Sequence, residues 1–123
     1  MTRILLVDDH EVLRVGLRSL LETRPGWEIC GEAVNGREAV RLAEELRPDV
    51  VVSDLALPEL NGLEAIRQIK RALPGVEILV FTVNDSEQTM RQVLHAGARG
   101  YLLKSEAKNH LLAAIDALAL HHP

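Results

Sequence analysis

The chain has 123 residues, 47% apolar and 26% charged, with a net charge of −4, which is enough for one domain to bury a core without disulfides or structural metal. This balance argues against a disordered tail, a bilayer span, which needs roughly 20 consecutive apolar residues, and a basic nucleic-acid surface on the chain itself. Cys30 is the one cysteine; it leaves no internal disulfide or multi-cysteine zinc site and reads as a small buried hydrophobe.

The first predicted element is a strand at 3–7, RILLV, which ends on the adjacent acids Asp8 and Asp9. Leu13, Leu17, Leu20 and Leu21 then recur at helical spacing, and Pro25-Gly26 closes that helix before a strand at about 27–33. Asn35 with Glu38 has capping-box spacing ahead of a helix carried by Val40, Ala43 and Leu46. After Pro48 comes a short all-apolar strand at 50–53 that delivers Asp54, then a helix on Leu63, Ile66, Ile69 and Leu73, closed by Pro74-Gly75. The strand at 77–81 runs into Thr82, and Asp85 with Gln88 suggests a second cap ahead of a helix marked by Met90, Val93 and Leu94. A strand at 100–103 reaches Lys104, and Leu111, Ile115 and Leu118 mark the last helix. Each helical set is expected to form one buried stripe.

Five alternations of strand and helix predict a doubly wound α/β domain: a five-stranded parallel sheet in order 2-1-3-4-5 with helices on both faces. Strands without polar alternation, such as Val50-Val51-Val52, suit a sheet covered on both sides. The domain is expected to occupy residues 1–120, with 121–123 as a tail or the start of a linker. No secretory signal pattern opens the chain, so the expected compartment is the cytoplasm, with no membrane partner.

Ligands of such a sheet bind beyond the C-terminal strand ends, near the reversal of strand order. Asp8, Asp9, Asp54, Thr82 and Lys104 all fall on that rim. Three carboxylates there repel one another, and a hard divalent cation, Mg²⁺ or Mn²⁺, is the simplest relief. Lys104 and Thr82 add a point charge and a hydroxyl that match phosphoryl oxygens, and Asp54 lies between the two sets as a carboxylate able to carry a phosphoryl group. His10 reads as a helix-start residue touching the rim, because an oxygen-rich Mg²⁺ site has little use for imidazole. A phosphatase with an Asp nucleophile would want Asp-x-Asp after the first strand, and a flavin or nucleotide binder would want a Gly-rich loop there. The chain has neither.

VDDHEVLR, VVVSDLALPELNG around Asp54, FTVND around Thr82 and GARGYLLKS around Lys104 together resemble a response-regulator receiver (CheY-like) domain of two-component systems. The wording is most similar to the NarL/FixJ/LuxR branch. The resemblance implies that Asp54 is phosphorylated by a sensor histidine kinase in a Mg²⁺-dependent reaction. It also implies that Asp9, Asp54 and the Ala56 carbonyl ligate the metal while Asp8 acts mostly through metal-bound water. Thr82 and Lys104 would bind the phosphoryl oxygens, with Thr82 and Tyr101 as the switch pair. Ala56 and Asn84 stand at positions that tune phosphate lifetime in that family. A domain of this kind is a phospho-accepting regulator, not a turnover enzyme. It would form a phosphorylation-dependent homodimer and regulate transcription, reaching DNA only through a C-terminal helix-turn-helix domain absent from this chain.

Overall fold

Strand and helix alternate five times in the computed structural model, which describes residues 1–83 and 85–119, and of 107–109 the backbone alone. Asn84 and the 121–123 tail lie outside the described residues. The elements are β1 (Thr2–Val7), α1 (Glu11–Leu21), β2 (Trp27–Ala33), α2 (Gly36–Leu46), β3 (Val50–Ser53), α3 (Gly62–Ala72), β4 (Glu77–Thr82), α4 (Glu87–Ala96), β5 (Gly100–Leu103) and α5 (Ala107–Ala119), with a 3₁₀ turn at Lys104–Glu106. All strand pairs are parallel, in the order β2-β1-β3-β4-β5 expected from the sequence. Among the described residues no helix is long and apolar enough to cross a membrane.

Side-chain alternation along the strands feeds two cores. Leu5, Val7, Val51, Ile78 and Val80 point into one with Ala39, Ala43, Ile66, Ile69 and Val93 of α2, α3 and α4. Ile4, Leu6, Val52, Leu79 and Phe81 point into the other with Leu17, Leu21, Leu111, Ile115 and Leu118 of α1 and α5. β3 and β4 are buried along their whole length, as their unbroken apolar runs require. Each fully buried Ile or Leu contributes about 1.5–3 kcal/mol relative to exposure, and that burial is what holds the rim still. Cys30 is only half-buried; it packs against the first core and its thiol donates to the Ile4 carbonyl at 3.4 Å.

Two local expectations are corrected. Met90 and Leu94 were expected on the buried stripe of α4, but they are 37% and 46% exposed and Val93 alone is buried. Three apolar residues at i, i+3 and i+4 fix a helix face but not its width of contact, and α4 meets the core through Val93 with Ala96 packed partly beside it. The cap of α4 is Ser86, whose hydroxyl accepts from the Thr89 N–H, rather than Asp85. At α2 Asn35 is the cap, as its spacing to Glu38 predicts: Asn35 Oδ1 accepts from the Glu38 N–H at 2.8 Å, while Glu38 Oε1 accepts from the N–H of Val34, one residue before the cap, at 3.0 Å.

Candidate functional site

Parallel pairing aligns the ends of β1 and β3. Val7 lies opposite Ser53, so Asp8 and Asp54 emerge side by side where the strand order reverses, the position at which an open α/β sheet offers its crevice. Two backbone bonds extend the ladder past the strands: Asp54 N–H donates to the Val7 carbonyl at 3.0 Å and Asp8 N–H to the Ala33 carbonyl at 3.1 Å. The sheet itself therefore fixes both aspartates.

Asp8 and Asp54 are 2% and 3% exposed, and buried charge requires partners. Asp54 Oδ1 accepts from the Leu55 N–H at 2.7 Å and the Ala56 N–H at 3.4 Å, and Oδ2 accepts from Lys104 Nζ at 2.9 Å. Lys104 Nζ also stands 3.0 Å from Asp8 Oδ2. That contact supplies charge without a directed hydrogen bond, for Asp8 Oδ2 has no hydrogen-bond donor. Asp8 Oδ1 accepts from the His10 N–H at 2.8 Å and faces His10 Nδ1 at 3.0 Å. Burial pulls the Lys104 pKa down, yet the hydrogen bond to Asp54, the close contact with Asp8 and the charges of both outweigh it and leave the ammonium above its ordinary value. Its Nζ also lies 5.8 Å from the Phe81 ring centroid, within cation–π range.

Asp9 is exposed at the mouth, with Oδ1 3.3 Å from His10 Nδ1. One ligand atom each from Asp8, Asp9, His10 and Asp54 lies within 4.8 Å of the others. Three carboxylates face one ammonium, a formal excess of two negative charges. This donor set fits a hard divalent cation.

Thr82 is buried at the end of β4 opposite Leu103, the residue before Lys104. Tyr101 pairs with Val80 and is half-buried against the α2–α3–α4 core. Burial, and then the negative charge of Asp85, push the Tyr101 phenol above its ordinary pKa. His10 is the N-cap residue of α1, as expected of a helix-start residue, but its side chain makes no capping bond and turns onto the two aspartates.

Two residues that shape the site were not singled out from the sequence. Arg14, on α1, donates from Nη1 to the Asp8 carbonyl at 2.8 Å while its Nε pairs with Glu32 Oε1 at 3.2 Å, tying the acidic turn to β2. Gly62 opens α3 directly against the acceptor turn: a Cβ there would stand 2.5 Å from Leu55 Cα and 2.6 Å from the Asp54 carbonyl oxygen. Arg14 carried a readable signal, since it sits one turn past the acids on a helix that starts beside them. Gly62 closes the VVVSDLALPELNG motif, but that wording does not give its constraint, which comes from a loop it meets only in three dimensions.

The family model of the response regulator receiver domain matches residues 4–116. The chain belongs to that family. Among curated receiver proteins it is similar to the transcriptional regulatory protein YdfI of Bacillus subtilis (strain 168), 45% identical over 117 residues that make up 95% of this chain and 54% of YdfI. Among solved structures, a two-component response regulator of the LuxR family from Aurantimonas sp. SI85-9A1 superposes with a TM-score of 0.93 at 42% identity, covering 98% of this chain and 86% of that one. The response regulator domain of Thermotoga maritima CheB gives 0.92 at 27% identity, covering 100% and 99%. The chain thus spans about half the length of the curated relatives it matches and nearly the whole of an isolated receiver domain.

Proposed function

We propose that this receiver domain accepts a phosphoryl group on Asp54 from the phosphohistidine of a sensor histidine kinase. The observation that carries the reading is the placement of Asp54: a buried carboxylate at the strand-order reversal, with an ammonium 2.9 Å from one oxygen and two backbone N–H groups on the other. In the transfer, an Asp54 oxygen forms a bond to phosphorus as the phosphorus–nitrogen bond breaks. The bonding pair leaves with the imidazole nitrogen, which takes its proton from solvent. Lys104 follows the new negative charge from the carboxylate onto the phosphoryl oxygens, and the Thr82 hydroxyl binds another of them. Asp9, Asp54 and the Ala56 carbonyl would hold Mg²⁺, or Mn²⁺ in its place, with Asp8 acting through water; when bound, the ion supplies positive charge against the phosphoryl oxygens.

The product adds about −1.5 to −2 charges to the mouth, and the reading assigns Thr82 and Tyr101 to pass that change to an output and dimerisation surface. The domain catalyses its own phosphorylation and slow dephosphorylation without turning over a further substrate. In the full-length protein it would act in the cytoplasm, reaching DNA through a C-terminal output domain and regulating transcription.

Acetyl phosphate or phosphoramidate with Mg²⁺ should add the mass of one phosphoryl group to the intact protein, and chelation of the metal should prevent it. Asp54→Asn should take up none at that site. An unmodified wild-type mass, or a modified asparagine variant carrying phosphate at position 54, would overturn the assignment.

A further inference from the structure

Among the described residues at the mouth, the His10 ring is left unused by the phosphorylation reading. Its ring is 68% exposed, yet it folds back over the acids, with Nδ1 3.0 Å from Asp8 Oδ1 and 3.3 Å from Asp9 Oδ1. Two atoms bound to one metal at about 2.1 Å are about 3.0 Å apart at a right angle and about 3.4 Å apart at a tetrahedral angle. Without an ion these are hydrogen-bond distances for an Nδ1–H; with the proton on Nε2 instead, the same separations suit two ligands of one ion, and Asp54 offers a further ligand atom within 4.8 Å. Beneath the ring, Asp8 is nearly fully buried and its Oδ2 shares with Asp54 the one Lys104 ammonium, 3.0 Å away, so a single counter-charge serves two buried acids.

We propose that His10 makes this site discriminate among cations: Nδ1 joins the Asp9 and Asp54 carboxylates as a ligand to borderline divalent ions such as Zn²⁺ and Co²⁺, and stays off Mg²⁺. The inference rests on the metal-binding reading above. Hard Mg²⁺ retains water and oxygen ligands in preference to nitrogen, whereas imidazole suits Zn²⁺ and its neighbours, whose affinities for a mixed N/O site stand above those of the hard ions. In the neutral ring that ligates through Nδ1, the proton resides on Nε2, and the exposure of the ring allows it to face water. Zn²⁺ and Mg²⁺ then compete for one mouth on unequal terms, and one side chain sets the inequality.

Calorimetric titration of Zn²⁺ into the protein, with and without saturating Mg²⁺, isolates the site for which the two ions compete and sets aside Zn²⁺ bound at other histidines. His10→Ala is expected to weaken Zn²⁺ at the competed site by about tenfold or more and to change Mg²⁺ affinity by less than about twofold. His10→Asn, which offers an oxygen donor and a capping side chain but no ring nitrogen, should not restore Zn²⁺ affinity. With Co²⁺ as the probe, the visible ligand-field bands of the Mg²⁺-displaceable ion should shift on loss of the nitrogen. Equal Zn²⁺ affinity in wild type and His10→Ala overturns the proposal. So does a parallel loss of Zn²⁺ and Mg²⁺, which would make His10 a brace for the carboxylates. A competed site indifferent to His10 sinks this inference alone, while the lack of any Mg²⁺ site in the wild type sinks the metal reading as well.

Discussion

Replacing Lys104 with Met tests how the site balances its charge. The ammonium is the shared partner of two buried carboxylates, 2.9 Å from Asp54 Oδ2 and 3.0 Å from Asp8 Oδ2. Removing one member of a buried ion pair costs about 3–5 kcal/mol, because the remaining charge stays desolvated. Lys104 is 15% exposed and Asp9 opens the mouth to water, and Met retains the apolar stem, so the expected loss is nearer 2–3 kcal/mol. A chain of this length unfolds with an entropy of about 0.25 kcal/mol per kelvin, which converts the loss to a Tm lower by about 8–12 °C. Thermal unfolding by circular dichroism at neutral pH without divalent ions measures it. Millimolar Mg²⁺ should then raise the variant's Tm by more than it raises the wild type's, because the cation meets acids that no longer hold an internal counter-charge. The wild-type advantage should also depend on pH. Since the folded-state pKa of Lys104 is raised, the native state holds this proton more tightly than the unfolded chain. The advantage is complete below about pH 10.5 and drains away as pH climbs through the folded value. A Tm change within about 2 °C, or an equal Mg²⁺ effect on both proteins, would refute the argument that Lys104 is the internal counter-charge of this pair.

Gly62→Ala drives a methyl group into the Asp54–Leu55 backbone, and overpacking of this kind costs about 1–3 kcal/mol. Its Tm should fall by several degrees and phosphorylation from a small donor should slow, as read by intact mass; an unchanged Tm would mean the turn yields freely. Tyr101 is the only tyrosine, so its phenolate absorbance reports one group: the midpoint should lie above 10.0, and Asp85→Asn should lower it by less than half the shift, since burial is the larger cause. A midpoint at or below 10.0 contradicts that placement.

Much of this structure is legible in the sequence, and the reason is local consistency. Apart from β2, which carries Glu28 and Glu32, each strand is a short run dominated by apolar residues and bounded by polar or turn residues, and each predicted run ends where the observed strand ends to within a residue. The adjacency of Asp8 and Asp54 follows from topology alone, because parallel pairing of β1 with β3 aligns residues that both follow a strand. What could not be read was pairwise and long-range. The number of apolar residues on α4 does not reveal that Val93 is buried while Met90 and Leu94 stay exposed. Cap spacing alone does not choose between Asp85 and Ser86, since either side chain could accept from the first turn. The approach of Gly62 to Leu55 depends on how the loop after β3 folds back, and no periodicity encodes that.

The arrangement ties the proposed chemistry to the fold through a single imbalance. At the reversal of strand order the sheet delivers three carboxylates and one ammonium, so the mouth begins with two negative charges more than it can neutralise. Phosphoryl transfer onto Asp54 would add to that excess. With Lys104 as the only Lys or Arg paired with the buried Asp8 and Asp54 carboxylates among the described residues, the modified state needs either an external divalent ion or a rearrangement that brings further donors to the phosphate. A Lys104 released from Asp8 to follow the phosphate would leave Asp8 buried without a charge partner, which strengthens the call on a cation at the moment of transfer. Cation binding and phosphorylation should accordingly be mutually favourable, each raising the affinity for the other by the same factor. Under the proposed function, Mg²⁺ should bind the phosphorylated domain more tightly than the free one, as calorimetry on a beryllofluoride-loaded sample would read; equal or weaker binding would mean that Lys104 and the backbone amides absorb the added charge without the ion.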